Sequence, residues 1–164
     1  MRKTWRVHWF RLSTFRQGGI CHEDQGSSTV YTTEYVWDRS PNAAYAQYFV
    51  GQSFLNPLTD PQCGLFLANV TFEPGCRNNW HIHHASKGGG QILICTTGEG
   101  WYQEEGKPVV SLAPGSVITI PPEVKHWHGA KADSWFSHIA IEVPGENCSN
   151  EWCEQVSDED YSIL

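Results

Sequence analysis

Gly75-Cys-Arg-Asn-Asn-Trp-His81-Ile-His83-His84-Ala-Ser-Lys-Gly-Gly-Gly-Gln91-Ile-Leu-Ile-Cys-Thr-Thr-Gly98, followed by Gly115-Ser-Val-Ile-Thr-Ile-Pro121-Pro122-Glu-Val-Lys-His126-Trp-His128, is the stretch that decides the fold of this 164-residue chain. It holds five of the eight histidines, set among strand-forming residues and broken by Gly and Pro-Pro turns. Successive side chains of a strand point to opposite faces, so His81 and His83 share one face and His126 and His128 share another. Two such pairs turned to one space make a metal site, imidazole being the commonest protein ligand for mid-series divalent metals. His84 has the opposite parity, which predicts a place beside the site or on the surface.

Outward from this stretch the strand signals come at short, turn-marked intervals. Leu65–Phe72, Asn79–His83, Gln91–Thr97, Gly100–Glu104, Val109–Leu112, Val117–Ile120, Lys125–Gly129 and Trp135–Val143 all read as strands, and no long segment has helical periodicity. The pattern predicts an all-β sandwich or barrel. Residues 1–40 read as a partly disordered N-terminal arm, residues 41–145 as the folded β-domain, and residues 146–164 as an acidic tail with one helical turn capped by Ser157. Gly88-Gly89-Gly90 lacks the following Lys and Ser/Thr of a phosphate loop and reads as a flexible bend or lid at the mouth.

The chain is long enough for one sizeable core. Its net charge is −7, although residues 1–16 carry Arg2, Lys3, Arg6, Arg11 and Arg16 and no acid. So acidic a body repels phosphate, which argues against nucleic-acid binding. That basic opening is expected to be a poorly ordered arm rather than a targeting segment. Six cysteines without a Cys-x-x-Cys pair predict reduced thiols, and no apolar run approaches the length of a membrane span. The expectation is a soluble, cytoplasmic protein.

These residues resemble the cupins, small single-domain jelly-roll β-barrels. Gly75, five residues, His81-x-His83, then Gln91, six residues and Gly98 follow the first motif of that family; Gly115, Pro121 and His126 follow the second. Seven residues separate His83 from Gln91 where the family has three or four, Gln91 stands for the usual Glu, Ala130 for a frequent Asn, and Glu123 for a Gly. The last change predicts that Pro121-Pro122 makes the turn before His126. The wording Trp-His-x-His, Gln, Pro-Pro-x-x-Lys-His-Trp-His-Gly-Ala is similar to the manganese-dependent hydroxynitrile lyase cupins and to cupins linked with carboxymuconolactone decarboxylase-like proteins.

The resemblance implies a divalent transition metal, Mn foremost, with Fe, Ni, Co or Zn as alternatives, held by His81, His83, Gln91 and His126. It also implies two unligated histidines, two and twelve residues after the last ligand, which are His128 and His138. Three imidazoles and an amide oxygen bring no negative charge, so the metal keeps its full charge as a Lewis acid. Parity turns His128 into the cavity about 7 Å along from His126. His128 is thus the candidate general acid or base, with His138 orienting the substrate or sharing the proton. Phe72, Tyr102 and Phe136 are candidate pocket walls; Trp80 and Trp127 turn away, toward an outer core or a dimer face. The expected activity is of lyase, isomerase or decarboxylase type on a small oxygenated molecule. A metal-dependent dioxygenase and a non-catalytic ligand sensor are the alternatives, and a homodimer is the expected assembly.

Overall fold

The computed structural model describes residues 41–164; the basic arm, His8, Cys21 and His22 lie outside them. The strands are β1 (Phe49–Val50), β2 (Ser53–Pro57), β3 (Phe66–Phe72), β4 (Arg77–Asn78), β5 (His81–His84), β6 (Lys87–Gly88) and β7 (Gln91–Gly98). They continue as β8 (Gly100–Glu104), β9 (Val110–Leu112), β10 (Val117–Ile120), β11 (His126–Ala130), β12 (Phe136–Glu142), β13 (Gly145–Glu146) and β14 (Ser149–Trp152), before one short helix, α1 (Asp158–Ser162). The domain is all-β, as the turn spacing predicts.

All strand pairs are antiparallel. One sheet centres on β11, which has β4 and β5 on one side and β8 on the other, with β1, β9 and β14 beyond. The other runs β10-β7-β12-β3-β2. Inward-facing residues of both sheets form one core, in which Phe72, Leu93, Leu112, Ile120 and Phe136 are sealed from solvent. Each such side chain contributes about 1.5–3 kcal/mol on burial. Phe72, Tyr102 and Phe136, read from sequence as pocket walls, all belong to this core. Trp127 turns to the outer side of its sheet, as parity requires, and is covered there by Trp80 and Tyr161 of its own chain.

Three local readings change. Glu123 itself makes the turn before His126, at φ 67° in the left-handed region. Such a conformation costs a non-Gly residue roughly 1–2 kcal/mol. The cost is offset because the Glu123 carboxylate accepts from His84 Nδ1 at 2.6 Å and from the Ala85 main-chain N–H at 3.0 Å. The Gly run is clamped rather than loose: β6 pairs with β13, Gly89 N–H donates to Pro144 O, and a Cβ on Gly90 would meet Ile120 O at 2.3 Å. That close approach brings the lengthened loop back so that Gln91 enters β7 opposite Ile120 and Glu142.

The acidic stretch from residue 146 is structured too. β14 pairs with β5 along its whole length, and Ser157 caps α1 by accepting from Asp160 N–H. Val156 is buried, and its carbonyl accepts from the buried Arg77 guanidinium, which also pairs with Asp158. Charge made this stretch resemble a tail; within it Trp152, Val156 and Tyr161 dock, while Ile163 and Leu164 stay exposed. Among the described residues, five cysteines are free thiols, and no helix is long and apolar enough to cross a membrane.

Candidate functional site

β5 and β11 are neighbours in one sheet, with His126 directly opposite His81. The two histidine pairs therefore lie side by side on one inner face rather than across a gap. The His81 and His126 rings stand 4.1 Å apart, His83 lies 5.2 Å from His81 and 5.5 Å from His126, and all three are buried. One ligating atom from each lies within 4.8 Å of the others.

Each ring is fixed by its Nδ1–H. His81 donates to Asn79 O at 2.9 Å, His126 to Val124 O at 2.9 Å, and His83 to Asn150 Oδ1 at 2.8 Å. Neutral imidazoles held this way present Nε2 lone pairs inward, the arrangement that orients metal-binding histidines. Burial pushes His81 well below its ordinary pKa and His126 down to about 4, which keeps the lone pairs free of protons. Nε2 of His83 and of His126 are buried without a hydrogen-bond partner.

Gln91 comes from the opposite sheet. Its Nε2 donates to Glu142 Oε1 at 3.1 Å, leaving Oε1 buried and unpartnered. Orphaned buried acceptors are costly unless something binds them. Three imidazoles and one amide oxygen are a donor set that fits a mid-series divalent metal, so His81, His83, His126 and Gln91 could hold one.

His128 lies one step along β11, its ring 5.5 Å from His81. Its main-chain N–H donates to Asn78 Oδ1 at 2.9 Å, so the amide nitrogen of Asn78, 3.0 Å from His128 Nε2, must donate to that ring atom. Neutral His128 therefore carries its proton on Nδ1, which has no partner. In this tautomer the free atom is a donor and not a base. His138 reaches in from β12, its ring 4.8 Å from that of His128, with both nitrogens unpartnered. Burial lowers the His138 pKa to about 3 and depresses that of His128 strongly.

His81, His83, Gln91, His128 and His138 line one cavity of about 230 Å³, whose apolar walls include Phe49, Leu55, Val70 and Trp152. Trp152 of β14 lies against His81, 4.9 Å between ring centres, and stacks on Tyr48 at 4.6 Å. His84 stands outside, held by Glu123 and by Glu151 at 2.7 Å, and both bonds raise its pKa.

Sequence reasoning missed Asn78, Glu142, Asn150 and Trp152. Glu142 was within reach, because it shares strand parity with His138. Asn150 and Trp152 carry no motif and lie beyond the residues that do.

A model of the cupin domain matches residues 68–140. Over 118 residues, 71% of this chain and 87% of the relative, the sequence is 42% identical to an (R)-mandelonitrile lyase of Granulicella tundricola. The chain belongs to the cupin family. A cupin-like protein of Thermotoga maritima has a crystal structure similar to this cupin at TM-score 0.64 and 40% identity, over 72% of this chain and 88% of that one. A cupin 2 conserved barrel domain protein of Rhodopseudomonas palustris, 16% identical with TM-score 0.53 over 71% of this chain and 74% of its own, shares the fold alone.

Proposed function

We propose that this cupin is a metal-dependent lyase that cleaves, and in reverse forms, the carbon–carbon bond of a small α-hydroxynitrile with an apolar or aromatic substituent. The observation that carries the reading is the cavity itself. His81, His83 and Gln91 line it together with His128 and His138, and His83 Nε2, Gln91 Oε1, His128 Nδ1 and both His138 nitrogens are buried there without partners. The identity to a mandelonitrile lyase supports it.

A divalent metal, manganese in the first instance, would be held by His81, His83, Gln91 and His126 and would supply Lewis acidity toward a substrate oxygen or nitrogen. The protein's own groups handle the protons. His138 is neutral at working pH, so one ring nitrogen always has a lone pair to take the hydroxyl proton as the carbonyl forms. His128 Nδ1–H is placed as a hydrogen-bond donor to departing cyanide, which leaves as HCN with the proton that His138 took from the hydroxyl. The walls exclude water and receive the apolar substituent, Trp152 and Phe49 offering ring faces to an aromatic one.

The test is metal analysis and turnover of untagged protein. His126→Ala should lose bound metal, whereas His128→Ala and His138→Ala should keep it and lose at least about 100-fold in mandelonitrile cleavage, the usual worth of a positioned proton carrier. Full metal content in the His126 variant sinks the ligand assignment. Turnover that requires dioxygen favours an oxygenase instead.

A further inference from the structure

Among the described residues Glu142 is the one acidic side chain lining the cavity, and it touches two of the candidate ligands at once. Its Oε1 accepts from Gln91 Nε2 at 3.1 Å, and its Oε2 lies 3.1 Å from His83 Nδ1. The pair Gln91–Glu142 is set by sheet register, since the two residues are Cα partners on β7 and β12. His83 arrives from the other sheet. One carboxylate therefore ties together two side chains from opposite sheets.

A glutamine amide has a donor end and an acceptor end of nearly equal shape, and only the oxygen can ligate. If the amide turned over, Oε1 would face a carboxylate oxygen and the NH2 group would face the lone pairs of His83 and His126. The first contact is repulsive; the second is an ordinary hydrogen bond, but it would cap the ring nitrogens and leave no amide oxygen for an ion. The carboxylate thus selects the amide orientation with its oxygen inward, and that oxygen is the one buried without a partner. The His83 Nδ1–H is already held by Asn150 at 2.8 Å, so the second carboxylate oxygen reinforces a ring orientation rather than creating it.

We propose that Glu142 is a positioning residue of the metal centre, whose carboxylate orients the Gln91 amide and the His83 imidazole so that Gln91 Oε1 and His83 Nε2 turn to a common ion. The assignment rests on the ligand reading above, and it concerns affinity rather than turnover. Groups of this kind change metal affinity by about 10–100-fold when removed.

The experiment is titration of full-length protein with Mn(II) against a competing chelator, with the Mn(II) electron paramagnetic resonance spectrum as a second readout. Glu142→Ala should bind about 10–100-fold more weakly with an altered spectrum. Glu142→Gln removes the charge and keeps an oxygen for Gln91 Nε2, but sets its NH2 against His83 Nδ1–H, so it should bind less tightly than wild type, by less than about tenfold, yet clearly more tightly than Glu142→Ala. Residues acting through one another are non-additive, so Gln91→Ala with Glu142→Ala should cost little more than Gln91→Ala alone. A Glu142→Gln protein as weak as Glu142→Ala, or additive losses in the pair, would mean that the carboxylate only attracts the cation by its charge, and the positioning role falls. Wild-type affinity in Glu142→Ala, alongside loss of binding in His126→Ala, overturns this role and leaves the ligand reading intact. Wild-type protein that takes up no metal overturns both.

Discussion

Asn78 grips His128 at two points, accepting from its main-chain N–H and donating to its ring Nε2, at 2.9 and 3.0 Å. The first bond decides the second: a main-chain N–H can only donate, so the amide oxygen is committed and the amide nitrogen is left for the ring. Asn78→Asp reverses the ring, because a carboxylate can only accept and draws the proton to Nε2. Nitrogen-15 shifts of the imidazole should show Nδ1–H in the wild type and Nε2–H in Asn78→Asp. Metal content should hold while turnover falls about 10–100-fold, and an unchanged tautomer would falsify the argument.

Glu123 is the second place where a side chain compensates a backbone. Glu123→Gly relieves the left-handed strain and loses the bonds to His84 and Ala85. The two effects oppose, so stability should change by less than about 1 kcal/mol. Glu123→Ala keeps the strain and loses the same bonds, and should be less stable than Glu123→Gly by roughly 1 kcal/mol. Urea midpoints decide between this ordering and its reverse.

The buried imidazoles make the metal-free protein acid-sensitive. His126 and His138 titrate at about 4 and about 3 in the folded chain, and His81 and His128 are lowered as well, burial being the first cause in each case. In the unfolded chain all four have pKa values of about 6.5. Between these limits the unfolded state binds more protons. Stability is therefore full above about pH 6.5 and declines as pH falls toward 4, by up to about 1.4 kcal/mol per pH unit for each group. Denaturant unfolding at pH 7.5, 6 and 5 should show a steepening loss; a flat profile would place these rings in contact with water.

Residues 147–164 are required for the site, not appended to it. Removing them takes Asn150 from His83, Trp152 from His81, and Val156 and Asp158 from the buried Arg77. A buried guanidinium stripped of its partners costs about 3–5 kcal/mol. Protein ending at residue 146 should unfold well below the full chain in a thermal melt, and equal melting temperatures would show that β14 and α1 do not stabilise the domain.

Strand order, turn positions and the inward parity of His81, His83, His126 and His128 were legible in the sequence, because alternation and Gly or Pro turns are local properties of a strand. The family followed from the spacing of two short motifs. What local patterns do not carry is which strands become neighbours. Only the tertiary structure set β5 beside β11, so that His81 and His126 stand face to face, and brought Gln91, His138 and Glu142 in from the opposite sheet. It also returned an acidic stretch to the sheet edge, where Asn150 meets His83 from 67 residues away. Contacts of that range depend on sheet register and on which surfaces must be covered, and a hydrogen bond between two distant polar residues leaves no periodic trace in either segment.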